Sequence, residues 1–258
     1  MIKKVLKRLN LFLMKKSSFM KMKSELQSLR RVNHDLFFLK RMPINHSQQI
    51  LEYLDYSKSQ LRQDLFVLQN FNFKKSGYFI EFGATNGIDH SNSYLLETRF
   101  NWGGVLSEPA RIWHKSLIHN RSCSIDYSCV WKDSNSKLEF NEVCIPELST
   151  INSFSDTDNH KIKRKESFIY EVNTISLYDL LEKYNAPNQI DYLSIDTEGS
   201  EFDILNSFDF NGKYKILVIT VEHNFTPKRN EIFELLSRYG YKRVYEEVSM
   251  FDDWYIKV

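Results

Sequence analysis

Along residues 1–16 (MIKKVLKRLNLFLMKK) the apolar residues Ile2, Val5, Leu6, Leu9 and Leu13 recur at three- and four-residue intervals, with Lys3, Lys4, Lys7 and Arg8 largely between them. This spacing predicts a basic amphipathic helix. Charge interrupts it too often for a secretory signal core, and no small-residue cleavage site follows. Helical patterns occupy 24–40 and 48–68, separated at Met42-Pro43, where proline cannot continue a helix. From Gly77 the periodicity changes. Short β-rich runs at 78–82, 104–107, 122–127, 191–195, 216–222 and 254–258, with 243–248 beside the last, alternate with helical stretches. Pro109 sits where a first helical residue should stand, Ser176 and Asp179 form a capping pattern, and Thr226-Pro227 reads as a cap followed by a first turn. The alternation predicts an α/β fold with a mostly parallel sheet. The polar stretch 132–173 has weak periodicity and predicts an insertion of short strands or a mobile cover over a site.

Composition narrows the class. At 42% apolar residues the 258-residue chain can bury a sizeable core, which excludes disorder throughout. Eight Gly and five Pro, with no long uncharged apolar run, exclude collagen-like and membrane-spanning classes. Cys123, Cys129 and Cys144 form neither an even disulfide set nor a Cys-x-x-Cys pair, so we expect reduced thiols in the cytoplasm. Charge is unevenly divided. Residues 1–31 hold ten Lys or Arg and one acid, Glu25, so this arm carries +9 and the remainder −7 of the net +2. An acidic body argues against nucleic acid as a partner. Two readings fit the arm: peripheral contact with an anionic membrane, at the inner face of a cytoplasmic protein, or a solvated or partner-packed helical extension.

Four strand ends carry the chemistry. EFGATNG (81–87) is a glycine turn between strand and helix, where a ligand can approach the backbone and meet the helix's positive end. Thr85 and Ile88 stand where a dinucleotide fingerprint needs glycine, and no Lys-Ser or Lys-Thr follows for a P-loop. Glu81-x-Gly83-x-x-x-Gly87 resembles instead the adenosylmethionine turn of Rossmann-like methyltransferases. GGVLSEP places Glu108 at the next strand end, where an acid can accept both hydrogen bonds of a ribose diol or else interact with the helix begun by Pro109. IDYLSIDTEGSEFDIL (190–205) ends its strand at Asp196, Glu198, Gly199 and Glu201. ILVITVEHN (216–224) ends at Glu222, His223 and Asn224. Together these groups can build a base and a cation site in one cleft. Each also has a structural reading: Glu198 as complement to a helix terminus, His223 as a satisfied core histidine, Asn224 as support for a turn.

Taken together, EFGATNGIDHSNSYLLE, NWGGVLSEP, APNQIDYLSIDTEGSEFDIL, VITVEHN and the closing DDWYIKV resemble the FkbM family of S-adenosylmethionine-dependent methyltransferases over 77–258. The resemblance implies a Rossmann-like class I methyltransferase domain at 73–258, with a seven-stranded, mostly parallel sheet whose last strand is antiparallel. A helical extension at 1–72 lies outside it. It implies O-methyl transfer, commonly to a sugar in a polysaccharide or glycoconjugate precursor. The alternatives are a small non-sugar metabolite or lipid as acceptor, or a non-catalytic membrane-tethered scaffold. Carried onto this chain, the cofactor set is Glu81, Gly83, Ala84, Gly87, Glu108, Asp196 and, near the adenine, Asp126. The acceptor set is Glu198, Asn224, Asp253 and Trp254, with His223, Asp196 and Glu222 catalytic. A histidine with its ordinary pKa of about 6.5 is the preferred base. A rival arrangement makes Asp196 and Glu222 ligands of a divalent cation.

Overall fold

The computed structural model describes residues 2–157 and 160–258, with side chains described from residue 16 onward. The chain divides into two compact units, Met1–Ser47 and Gln48–Val258. The first is dominated by one helix, α1 (Ile2–Arg41), which stops ahead of Pro43. The side chains of the basic amphipathic segment 1–16 fall almost entirely outside the described residues. Among the described residues no helix is long and apolar enough to cross a membrane.

In the second unit the seven sheet strands are β1 (Tyr78–Phe82), β2 (Gly103–Ser107), β3 (Ser124–Asp126), β8 (Gln189–Ile195), β9 (Lys215–Glu222), β10 (Tyr241–Val244) and β11 (Asp252–Lys257). Four more, β4 (Cys129–Trp131), β5 (Lys137–Val143), β6 (Thr150–Ile151) and β7 (Ser167–Ser176), form a second sheet. The main sheet runs β3-β2-β1-β8-β9-β11-β10. Every pair is parallel except the two made by β11. The central strands are buried on both faces, as near-continuous apolar runs such as Ile80, Phe82, Leu193, Ile195, Ile219 and Val221 require. Strand order reverses between β1 and β8, and in open α/β sheets ligands bind at that reversal, beyond the carboxyl ends of the strands.

Helices α4 (Tyr94–Phe100), α5 (Arg111–Asn120), α6 (Leu177–Lys183), α7 (Glu201–Ser207) and α8 (Lys228–Arg238) make the crossovers. The Ser176 hydroxyl accepts from Asp179 N–H at 3.1 Å and starts α6 as the sequence predicts. Four expectations need correction. The helix over 48–68 is broken into α2 (Ser47–Tyr53) and α3 (Gln63–Asn70), because Arg62 adopts a left-handed φ of 68° and the Ser57 hydroxyl donates to Asp64 across the intervening turn. Residues 48–72 belong with the sheet unit: α3 buries Leu65, Phe66, Val67 and Leu68, and Phe66 stacks on Trp254. The run over 243–248 is β10 followed by a short helix α9 (Glu246–Ser249), since Tyr245 turns left-handed and two glutamates enter the first turn. Pro109 precedes α5 by two residues instead of opening it.

The polar stretch 132–173 folds, as the antiparallel β5/β7 hairpin with β6 on its far edge and β4 parallel to β7. Phe140, Ile151 and Val172 give it a small core of its own.

Candidate active site

A cavity of about 350 Å³ lies over the carboxyl ends of β1, β2, β8 and β9, within the range of small-molecule sites. The second sheet forms its other wall through Phe140 and the 146–151 segment. At its floor Gly83 has φ +75°, and a Cβ there would lie 1.9 Å from the carbonyl oxygen of Asp196, so no other residue fits. Left-handed backbone recurs in non-glycine residues lining the cavity: Thr85 at 47°, His90 at 64°, Glu198 at 58° and Asn224 at 45°. Each such conformation costs about 1–2 kcal/mol for an ordinary residue, and neighbouring hydrogen bonds hold it.

Glu81 and Glu108 supply much of that restraint. Glu81 accepts from Asn92 N–H at 2.7 Å, from the Ser91 hydroxyl at 2.9 Å and from the Ser93 hydroxyl, with Arg121 3.8 Å away. It therefore fixes the loop after β1 while lining the cavity. Glu108 accepts from Thr85 N–H through one oxygen and Ala110 N–H through the other, both at 2.8 Å. Glu108 thus steadies the approach to α5 and also faces the cavity beside the glycine turn. Burial pushes its carboxyl up to about 7, against the pull of those two N–H groups. Asn92 donates to Ser194 Oγ at 2.9 Å, and its amide oxygen is buried without a partner among the described residues.

The ends of β8 and β9 bring Asp196, Glu198 and Glu222 together, one oxygen from each lying within 4.8 Å of the others. Asp196 and Glu222 are hydrogen-bonded to each other. Burial, and then the negative charges of Asp196 and Glu198, raise Glu222 well above the usual carboxylate range. Burial also raises Asp196, against the hydrogen bond it shares with Glu222. Asn224 donates to Glu222 at 2.7 Å. Arg164, from the inserted segment, donates to Glu198 at 2.8 Å and to the Leu148 carbonyl at 2.7 Å. Thr150 donates to the Glu198 carbonyl at 2.9 Å. Glu201 turns away from chemistry and accepts from the Thr197 and Gly199 N–H groups of its own turn.

Several predicted site residues do not line this cavity. His223 is buried, its Nδ1 accepts from Phe225 N–H at 3.0 Å, and its Nε2 faces Asp253 at 3.8 Å. In this position His223 does not line the cavity. Asp253 is held by Arg229, Arg243 and Tyr255. Trp254 packs on Phe66 and Tyr245. Both lie on β11, whose register places Phe251, just before it, at the cavity instead. Asp126 binds Lys183 at 2.7 Å and lines a separate cavity of about 400 Å³ that shares only Pro109 with the first. Gly87 packs on Leu117 and Arg121, and Ala84 is buried behind the turn.

The sequence reading missed Asn92, His90 and the lining contributed by Leu148, Ser149 and Ile151. The polar HSNS that follows the glycine turn was the available signal for the first two. Arg164 left none, since one arginine in a polar insertion looks like a solvated surface residue.

Residues 81–243 match a family model described as the methyltransferase FkbM domain. Among solved structures the chain is similar to an FkbM methyltransferase from Methylobacillus flagellatus KT, at 12% identity and a TM-score of 0.48, covering 90% of this chain and 60% of that one. It is also similar to a precorrin-6y C5,15-methyltransferase from Geobacter metallireducens GS-15, at 12% identity and a TM-score of 0.38, covering 75% of this chain and 85% of that one. A comparison with curated proteins finds no match.

Proposed function

Because the chain belongs to the FkbM methyltransferase family, we propose that it transfers the methyl group of S-adenosylmethionine to a hydroxyl oxygen of a sugar in a polysaccharide or glycoconjugate precursor. The observation that carries this reading is the convergence, in one cavity, of the Gly83 turn, Glu108 and the adjacent Asp196 and Glu222 carboxyls. The residues fit the cosubstrate. Glu108 keeps lone pairs for a ribose diol, and the buried, unpartnered amide oxygen of Asn92 can accept from a donor in the cavity. The acidic group at the β8 and β9 ends suits a positively charged sulfonium and ammonium. When bound, adenosylmethionine supplies an already activated methyl group.

The protein's own work is then positioning and removal of one proton. Asp196, desolvated and therefore more basic than an exposed carboxylate, accepts the hydroxyl proton and becomes a neutral carboxylic acid, with Glu222 hydrogen-bonded beside it. Glu198 and Asn224 orient the acceptor. The inserted sheet excludes water and adds Glu147, Ser149 and His160, side chains able to hydrogen-bond a polyhydroxylated molecule. A second reading, in which Asp196, Glu198 and Glu222 hold a divalent cation, is favoured by their mutual approach within 4.8 Å.

Calorimetric titration with adenosylmethionine tests the reading. The wild type should bind, and Glu108→Ala should bind roughly tenfold more weakly, about 1.4 kcal/mol. Methyl label should then appear on hydroxyl groups of an oligosaccharide panel. Label confined to amines or to apolar acceptors would overturn the acceptor class.

A further inference from the structure

Among the described residues, α1 carries exposed apolar side chains. Phe19, Met20, Met22, Leu26, Leu29, Val32 and Leu36 are each about half exposed or more. Five of them, Phe19, Met22, Leu26, Leu29 and Leu36, follow one another at alternating three- and four-residue steps once Asn33 is placed between Leu29 and Leu36. That is a period of about 3.5 residues, the repeat that winds two helices around each other. Phe19, Leu26 and Asn33 take the first core position of the heptad, and Met22, Leu29 and Leu36 the fourth.

The remaining positions are specific to one partner. Asn33 is the single polar residue in the seam and is exposed in the isolated chain. Asn at this place costs stability in solvent-free packing unless it meets another Asn, which happens in a parallel, in-register pair. Glu25 and Arg30 occupy the flanking positions that face each other across such a pair, five residues apart, so a glutamate of one copy meets an arginine of the other twice. Among the described residues Glu25 makes an exposed contact with Lys21 at 4.0 Å. Val32 and Phe37, the next flanking pair, extend the apolar seam. A helix built to lie on a lipid surface gains nothing from a lone Asn and a Glu set into its apolar stripe. Among the described residues the buried side chains of α1, Asp35 and Phe38, lie outside the stripe.

We propose that residues 19–36 of α1 are a dimerisation segment that pairs, parallel and in register, with α1 of a second copy of this chain.

Sedimentation velocity of the full-length protein over a dilution series is the first measurement. Species of twice the 30.8 kDa chain mass should appear on concentration. Leu26→Glu with Leu29→Glu should leave monomer only, at unchanged circular dichroism of the folded body. Glu25→Arg and Arg30→Glu should each weaken self-association by about tenfold or more, and mixing the two proteins should restore a mixed dimer. Asn33→Cys should form an interchain disulfide under mild oxidation, in a background with Cys123, Cys129 and Cys144 changed to Ser. A monomer at every concentration would overturn the proposal. So would a dimer indifferent to the Leu26 and Leu29 changes, or a monomer that floats with phosphatidylserine vesicles through this same stripe. None of these readouts depends on the methyl acceptor or on adenosylmethionine.

Discussion

The Arg164 guanidinium lies 2.8 Å from Glu198 Oε2, and both side chains are almost fully withdrawn from solvent. This contact joins the inserted sheet to the acidic end of β8. Removing one member of a buried pair strands the other charge, which costs about 3–5 kcal/mol in comparable cases. Arg164→Met should therefore lower stability by that order in chemical denaturation and should reduce turnover more than cosubstrate affinity. Unchanged stability would mean that solvent reaches the pair freely.

Asp196→Asn should retain adenosylmethionine binding and lose roughly 10²- to 10⁴-fold in kcat. His223→Gln should turn over near the wild-type rate, because that ring presents no nitrogen to the cavity. Steady-state kinetics on the two variants checks both. A crippled His223→Gln with normal stability would return the histidine to the mechanism.

On the proposed reading, Glu108 would give adenosylmethionine binding a pH dependence. Its carboxyl titrates at about 7, and the ionised form is the better acceptor for a diol. Affinity measured by calorimetry should rise between pH 6 and pH 8, and Glu108→Gln should flatten that rise.

Asp252 is buried against Gln63 at 2.6 Å, and its carboxyl is pushed up to about 8. The folded state thus holds a proton that the unfolded chain releases near pH 4. The stability this confers is full below about pH 4 and lost progressively as the pH rises to about 8. Asp252→Asn should raise Tm more at pH 8 than at pH 5, as read by calorimetric melting. An equal gain at both would place the ionised carboxylate in the fold.

The cation arrangement separates from the cation-free one by chelation. Arg164 already offsets the charge of Glu198 and Asn224 donates to Glu222, so turnover should withstand chelators. Activity abolished by chelation and restored by magnesium or manganese would establish the ion.

What the sequence made legible follows from where its signals are local. The runs YFIEF and IDYLSI announce buried strands because two covered faces demand continuous apolar residues, and Gly83 and Glu108 announce a site because a strand end has little other use for them. The Asp196–Glu222 contact is equally direct, since parallel neighbours end side by side. His223 lies outside the cavity, one residue past the end of β9, where a left-handed Asn224 follows it in the turn. The misplacement of Asp253 and Trp254 has the same origin, in the register of an antiparallel strand that periodicity does not encode. Pairings inside 132–173 were illegible because the hairpin's polar side chains satisfy its backbone and surface without a repeating apolar face.

The inserted sheet enters after β4 and returns through β7 and α6 to β8, so the roof of the cavity is one uninterrupted span of chain, while the floor comes from β1, β2, β8 and β9. On the proposed reading, the cosubstrate half and the acceptor half are inherited separately. A lineage could exchange the span from residue 132 to 173 and acquire a new acceptor without redrawing the sheet beneath it, provided the newcomer brings its own cation to meet Glu198.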